Sequence, residues 1–161
     1  MRCYHFSNMY LSSIQQGIQS SHTQMELFVK YKSPSNKKDI LFDWAEIYKT
    51  TIVLNGGFLS TMQEFLGFLQ VEDNPYPFAE FYESEEALGG ILTNIAIVLP
   101  EKIYKSSELL RNKIINSEFT ITSGLPNVIY DETEKLLNEF GTLSEFEKEL
   151  CSRLNNFRLA N

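Results

Sequence analysis

The side chains of this sequence that could do chemistry are few, and most of them gather on one stretch. Between Ser12 and Tyr31, Gln15, Gln19, His22 and Glu26 recur at offsets of four, seven and eleven, one face of a 3.6-residue period. Two amides, an imidazole and a carboxylate in line could hydrogen-bond a polar ligand, and His22 could serve as a general base. The better-supported reading of His22 is a hydrogen-bonded structural histidine that fixes the helix against a neighbouring loop. His5 lies in a weakly alternating segment and also reads as structural. Cys3 and Cys151 stand near opposite ends of the chain, so they read as free thiols, and two His with two distant Cys give no zinc spacing. Glu83, Glu85 and Glu86 could meet a hard cation, but such a short acidic run does not define a cage, and a solvated turn is the simpler reading. Asn55-Gly56-Gly57 lacks the lysine and serine of a phosphate loop and reads as a plain turn. No metal and no cofactor are expected.

The elements that must position these groups alternate between strand and helix. Arg2 to Asn8 reads as a first strand. The stretch from Ser12 to Tyr31 reads as a long helix capped by Ser12 or Ser13. Its apolar positions Ile14, Ile18, Met25 and Phe28, with Ser21 among them, form a stripe expected to pack on a sheet. Gly17, Ser20 and Ser21 are small and would allow close approach. A polar loop, Lys32 to Lys38, leads to a short amphipathic helix from Asp39 with Ile40, Leu41, Trp44 and Ile47. Thr50 to Leu54 is continuous and β-branched, as in a strand buried on both faces. Ser60 to Gln63 has capping-box spacing, and the helix it opens carries Met62, Phe65, Leu66 and Leu69 inward. Phe78 to Tyr82 and Leu92 to Leu99 read as strands, joined by Glu83 to Gly90. Further on, Ser106 to Asn116 reads as a helix and Phe119 to Thr122 as a short strand. Two more helices are expected, from Asp131 to a stop at Gly141 and from Ser144 to Asn156, the latter with Phe146, Leu150 and Leu154 on one stripe. Alternating strands and helices define an α/β fold.

The 161 residues suit one domain, with a core at 1–100 and a mostly helical C-terminal extension at 101–161. A chain 43% hydrophobic and 13% aromatic can bury that core. No apolar run approaches the roughly 20 residues of a membrane span, and the start has no apolar signal-peptide region, so a cytoplasmic protein is expected. A net charge of −7 argues against a general nucleic-acid binder. The acidic stretch from Val71 to Ala87 and the basic cluster Lys30, Lys32, Lys37 and Lys38 read as solvated surface.

Two local patterns resemble the type-II peptidyl-tRNA hydrolase family. That family opens its first helix with a run like K-I-A-A-Q-C-x-H-A. Here the run is Gln15-Gln16-Gly17-Ile18-Gln19-Ser20-Ser21-His22, in which Gln19 and His22 match in place. Its closing stretch, like R-D-A-G-R-T-x-I-x-P-G-T-x-T-V-L-A-I-G-P, is similar to Tyr82 to Pro100. There Gly90, Thr93, Ala96, Ile97 and Pro100 match once a two-residue deletion and a one-residue insertion are allowed. The resemblance covers about residues 1–100 and implies a four-stranded mixed sheet between helical layers. It implies catalytic roles at His22, Glu83 and Thr93. The departures fall on the chemistry: Gln15 stands at the family's lysine position, Glu83 at its aspartate, and Ala87 and Ile91 at threonines. Ester hydrolysis needs an activated water and stabilisation of the developing oxyanion. A neutral Gln15 brings no positive charge.

The expected ligand site is the carboxyl end of the parallel strands. It would gather Ser7 to Ser13, the loop from Asn55 to Phe58, and the free N–H groups at the start of the first helix. Ser12, Ser13 and Ile14 would meet an anion there, while Gln15 and Gln19 would bond a base or sugar. Three functions follow, in this order. The first is a non-catalytic protein binding a small nucleotide-like or phosphorylated ligand, or a tRNA end. The second is an active peptidyl-tRNA hydrolase. The third is an acidic protein-protein interaction or inhibitor module. The amphipathic C-terminal helices, through Leu150 and Leu154, would cover a sheet face or form a homodimer interface.

Overall fold

The computed structural model describes residues 1–123 and 142–160, with side chains for all of these except 87–88 and 113–123. The chain divides into two compact units, Met1–Leu99 with Phe157–Asn161, and Pro100–Asn156.

The first unit is a mixed five-stranded α/β sheet. Its strands are β1 (Arg2–Asn8), β2 (Thr51–Gly57), β3 (Phe78–Tyr82), β4 (Leu92–Leu99) and β5 (Arg158–Leu159), in the order β3-β4-β1-β2-β5. β1 runs parallel to β2, with Cys3 opposite Thr51, and antiparallel to β4, with His5 opposite Ala96. β3 with β4 and β2 with β5 are antiparallel pairs. The sheet has one strand more than the four expected. β5 is two residues long, too short for any periodicity to announce it, and pairs Leu159 with Leu54 and Arg158 with Asn55. β4 is buried along its whole length, as its apolar run requires. β2 is less enclosed than expected: Thr51 is exposed and Ile52 and Val53 are half-buried, because only β5 lies beyond it. β2 also runs on through Asn55-Gly56-Gly57, which is strand and not a plain turn. A Cβ at Gly56 would stand 3.0 Å from the Ser7 carbonyl oxygen and 3.2 Å from Met62 Cγ, so only glycine lets the strand pass.

Helices lie on both faces. On one, α1 (Ser13–Lys30) packs on β1, β3 and β4. Its Leu27 joins Cys3, Leu41, Trp44, Ala79, Ala96 and Val98 in a buried cluster. Leu41 and Trp44 come from α2 (Asn36–Asp43), capped by Ser35, and the π-helical turn Trp44–Tyr48 that continues it. This helix starts three residues before the expected Asp39. On the other face, Phe65 of α3 (Leu59–Leu69) meets Phe6 at 4.6 Å between ring centroids. Phe157, just before β5, closes the group at 4.7 Å from Phe6 and 5.1 Å from Phe65. α3 starts at Leu59 behind Phe58, which makes no side-chain cap, so the Ser60–Gln63 capping box is not used. The short helix α4 (Glu85–Leu88) stands in the β3–β4 connection.

The expected orientation of α1 is overturned. Ile14, Ile18 and Met25 are exposed, while Gln16, Gln19, Ser20, Thr23 and Leu27 face the sheet. The physical reason is beneath the helix. The sheet presents buried His5, Ser7 and Asn94 there, and buried polar groups need hydrogen-bond partners. An amide-and-hydroxyl face satisfies them, and an isoleucine face would not.

The second unit pairs α5 (Glu101–Ser123) with α6 (Glu145–Leu154). Ser144 and Glu147 form a reciprocal capping box, and Lys102 reaches Glu147 at 2.5 Å. α5 takes in Phe119 to Thr122, so the expected strand there is helix. A run of one aromatic and three β-branched residues is a weak strand signal where the surrounding residues continue a helix. Phe146, Leu150 and Leu154 are buried as expected, which leaves them unavailable as a subunit interface. The helix expected from Asp131 lies outside the described residues. No helix among the described residues is long and apolar enough to cross a membrane.

Candidate functional site

Three of the residues singled out in the sequence converge where α1 crosses the ends of β3 and β4. Gln19 is buried on the sheet-facing side of α1. Its Nε2 donates to Glu83 Oε2 at 2.6 Å, and its Oε1 accepts from Thr93 Oγ1 at 3.3 Å. The same Thr93 hydroxyl also lies 3.2 Å from the Phe81 carbonyl oxygen. Thr93 is fully buried, and its proton is committed to these acceptors. It orients Gln19, and Gln19 in turn orients the carboxylate. Glu83 is half-buried, and its second oxygen accepts from the Ser84 N–H at 3.2 Å. A carboxylate has about four acceptor positions, so Glu83 keeps acceptor capacity toward solvent. Among the described residues no Lys, Arg or His forms an ion pair with it.

His22 sits one helical turn beyond Gln19, exposed, with its ring 4.8 Å from that of Phe81. Gln15 sits one turn before it and is also exposed, but its side chain is turned back on the helix start. Its Oε1 accepts from the Ser12 N–H and the Ser12 hydroxyl, both at 3.0 Å, while its own N–H bonds Ser12 Oγ at 3.4 Å. Ser12 is therefore the cap and Gln15 the other half of a capping box. The residue at the lysine position of the resemblance is spent on its own helix terminus.

The mouth expected at the carboxyl ends of β1 and β2 does assemble, but its donors are largely consumed. The Met9 N–H bonds the Gly57 carbonyl at 3.1 Å, Leu11 bonds the Asn8 carbonyl at 3.1 Å, and Tyr10 bonds Asn8 Oδ1 at 3.1 Å. Gly57 donates to Asn55 Oδ1 at 2.8 Å. Of the residues proposed to meet an anion, Ser12 has its N–H satisfied, and Ser13 and Ile14 stand exposed in the first turn.

Beneath α1 lies a polar network that sequence reasoning missed. His5 Nδ1 meets Asn94 Oδ1 at 2.9 Å, so the proton sits on Nδ1 and Nε2 is an acceptor. Gln24 Nε2 lies 3.3 Å from that Nε2, and Cys3 Sγ lies 3.5 Å from it. Asn94 Nδ2 then donates to Ser7 Oγ at 2.7 Å and Ser20 Oγ at 3.3 Å. Burial lowers the His5 pKa to about 4 against a partial offset from Asn94, so the ring is neutral. Burial likewise pushes the Cys3 thiol far up, and Cys151 up to about 12 with help from Glu147. Both cysteines are free and buried. The one available signal was Asn94 itself, an amide inside the apolar run from Leu92 to Leu99. Among the described residues no group of three or more His, Cys, Asp or Glu could hold a metal ion.

No protein-family model matches the chain, and no curated protein matches it.

Proposed function

We propose that this chain is a non-catalytic binding protein of peptidyl-tRNA hydrolase-like design that takes a nucleoside-like ligand, free or as a tRNA end, at Glu83. The observation that carries this is the half-buried Glu83 carboxylate, held at 2.6 Å by a buried Gln19 that Thr93 braces in turn. A fixed carboxylate with spare acceptor positions suits paired hydroxyls, as in the ribose contact of dinucleotide sites. The exposed His22 ring offers a flat surface beside it for a base. Support for binding without turnover comes from Gln15: it is neutral, and its amide oxygen is taken by Ser12. Among the described residues no Lys, Arg or His pairs with Glu83 to serve an oxyanion, and losing one such donor can cost about 10²–10³ in rate.

In this reading the ligand is anchored by its sugar rather than by phosphate, which is supported by the donors already taken at Met9, Tyr10, Leu11, Ser12 and Gly57. Adenosine and adenosine monophosphate should then raise the melting temperature alike, and a trinucleotide ending in C-C-A should do as well or better. Gln19→Ala should abolish these shifts. A phosphate-dependent shift that Gln19→Ala leaves intact would contradict the reading. The second reading, an active hydrolase, is supported by the spare acceptor capacity of Glu83, which in that reading orients a water as general base. Peptidyl-tRNA turnover at an enzyme-like rate, lost in Glu83→Gln, would establish it in place of the first.

A further inference from the structure

The exposed face of α1 carries a pattern that its own fold does not use. Ile14, Ile18, Met25 and Val29 are 48–76% exposed. At 100° per residue they fall within about 60° of arc, on the side opposite the buried Gln16, Gln19 and Thr23. Tyr10, 75% exposed, extends the stripe past the N-terminus of the helix. A Cβ added at Gly17 would meet nothing within 4 Å, so no packing among the described residues explains a helix-weakening glycine there.

We infer that this stripe is the contact surface of a homodimer in which two α1 helices pack antiparallel across a two-fold axis between Ser21 and His22. The occupant is a second copy because the stripe is self-complementary about that point. Reflection through it pairs Ile14 with Val29 and Ile18 with Met25, each meeting its partner twice, as an isologous contact requires. Ser21 and His22 flank the axis, each opposite the other across it, and Gly17 lies opposite Glu26, so the four large apolar side chains of the helix meet only one another. No charge faces a like charge: Lys30 falls opposite Ser13, and the N-terminal half of the helix carries none. Antiparallel helices also align their dipoles favourably. With roughly 100 Å² from each of the five large side chains, the two copies bury about 1,000 Å², at the lower bound for a specific interface. The dimer should therefore be reversible, with a dissociation constant of about micromolar.

Sedimentation equilibrium across the micromolar range tests this. The wild type should pass from monomer to dimer with concentration, and Ile18→Glu and Met25→Glu should each remain monomeric with an unchanged melting temperature at low concentration. Geometry is read by cross-linking. Ile14→Cys and Val29→Cys proteins, mixed, should couple through a short bis-maleimide. Neither should couple alone, because like positions would stand about 22 Å apart along the axis. The native Cys3 and Cys151 are buried and stay silent. A wild type that is monomeric throughout, a dimer indifferent to both glutamates, or coupling of either variant with itself would overturn the inference.

Discussion

His5 is where a single residue makes the clearest commitment. Its ring is buried and neutral, donating to Asn94 and accepting from Gln24. The folded pKa of about 4 lies below the unfolded value of 6.5. Below pH 6.5 the unfolded chain takes up a proton that the folded chain refuses, so stability present at neutral pH drains away as pH falls toward 4. The loss from this one group should be about 3 kcal/mol. Denaturant melts at pH 7, 5.5 and 4 should show that slope in the wild type and a shallower one in His5→Gln. The cysteines follow the same logic with opposite charge. Raised pKa values keep both thiols protonated, so neither should react with maleimide at pH 8 until the chain unfolds. His5 was legible as structural from its strand. Asn94 was not, because nothing in one sequence says that an amide in an apolar strand will find a histidine 89 positions away.

At the scale of the element, α1 is the lesson. Its length, its Ser12 cap and its two faces were legible, since 3.6-residue periodicity and capping are local. Which face turns inward was not. That depends on what the sheet offers beneath it, and the sheet offers His5, Ser7 and Asn94. The consequence is measurable because it reverses the amphipathic expectation. Leu27→Ala should cost about 2–5 kcal/mol, as for a fully buried leucine, whereas Ile14→Ser should change monomer stability by less than about 0.5 kcal/mol. Chemical denaturation at low protein concentration compares the two. The strands β1, β3 and β4 were read correctly from alternation and from unbroken apolar runs. β5 escaped because its residues pair with β2 only once the chain has returned from the second unit.

That return defines the molecule as a whole. Residues from opposite ends of the sequence share the Phe6, Phe65 and Phe157 group. Phe157→Ala should therefore destabilise the sheet unit by about 3–5 kcal/mol, although it lies only four residues before Asn161. A thermal melt followed by near-ultraviolet dichroism would register that loss. The candidate site was legible in part for a similar reason. Gln19, Glu83 and Thr93 were marked by two short motifs, and the fold unites them. The phosphate mouth was argued from free donors at the start of α1; of these Ser12 is bonded to Gln15, while the Asn8 and Asn55 side chains take the neighbouring N–H groups of Tyr10 and Gly57. The carboxylate of Glu83 is thus the centre of the functional account. Calorimetric titration of adenosine into wild type and Glu83→Gln tests it most directly. The account predicts binding to the wild type that weakens at least about tenfold in the variant, the cost of losing hydrogen bonds to a charged group. It also predicts little change between low and high salt, since no phosphate contact releases counterions. Equal affinity in the two proteins, or none in either for adenosine and the C-C-A trinucleotide alike, would contradict it.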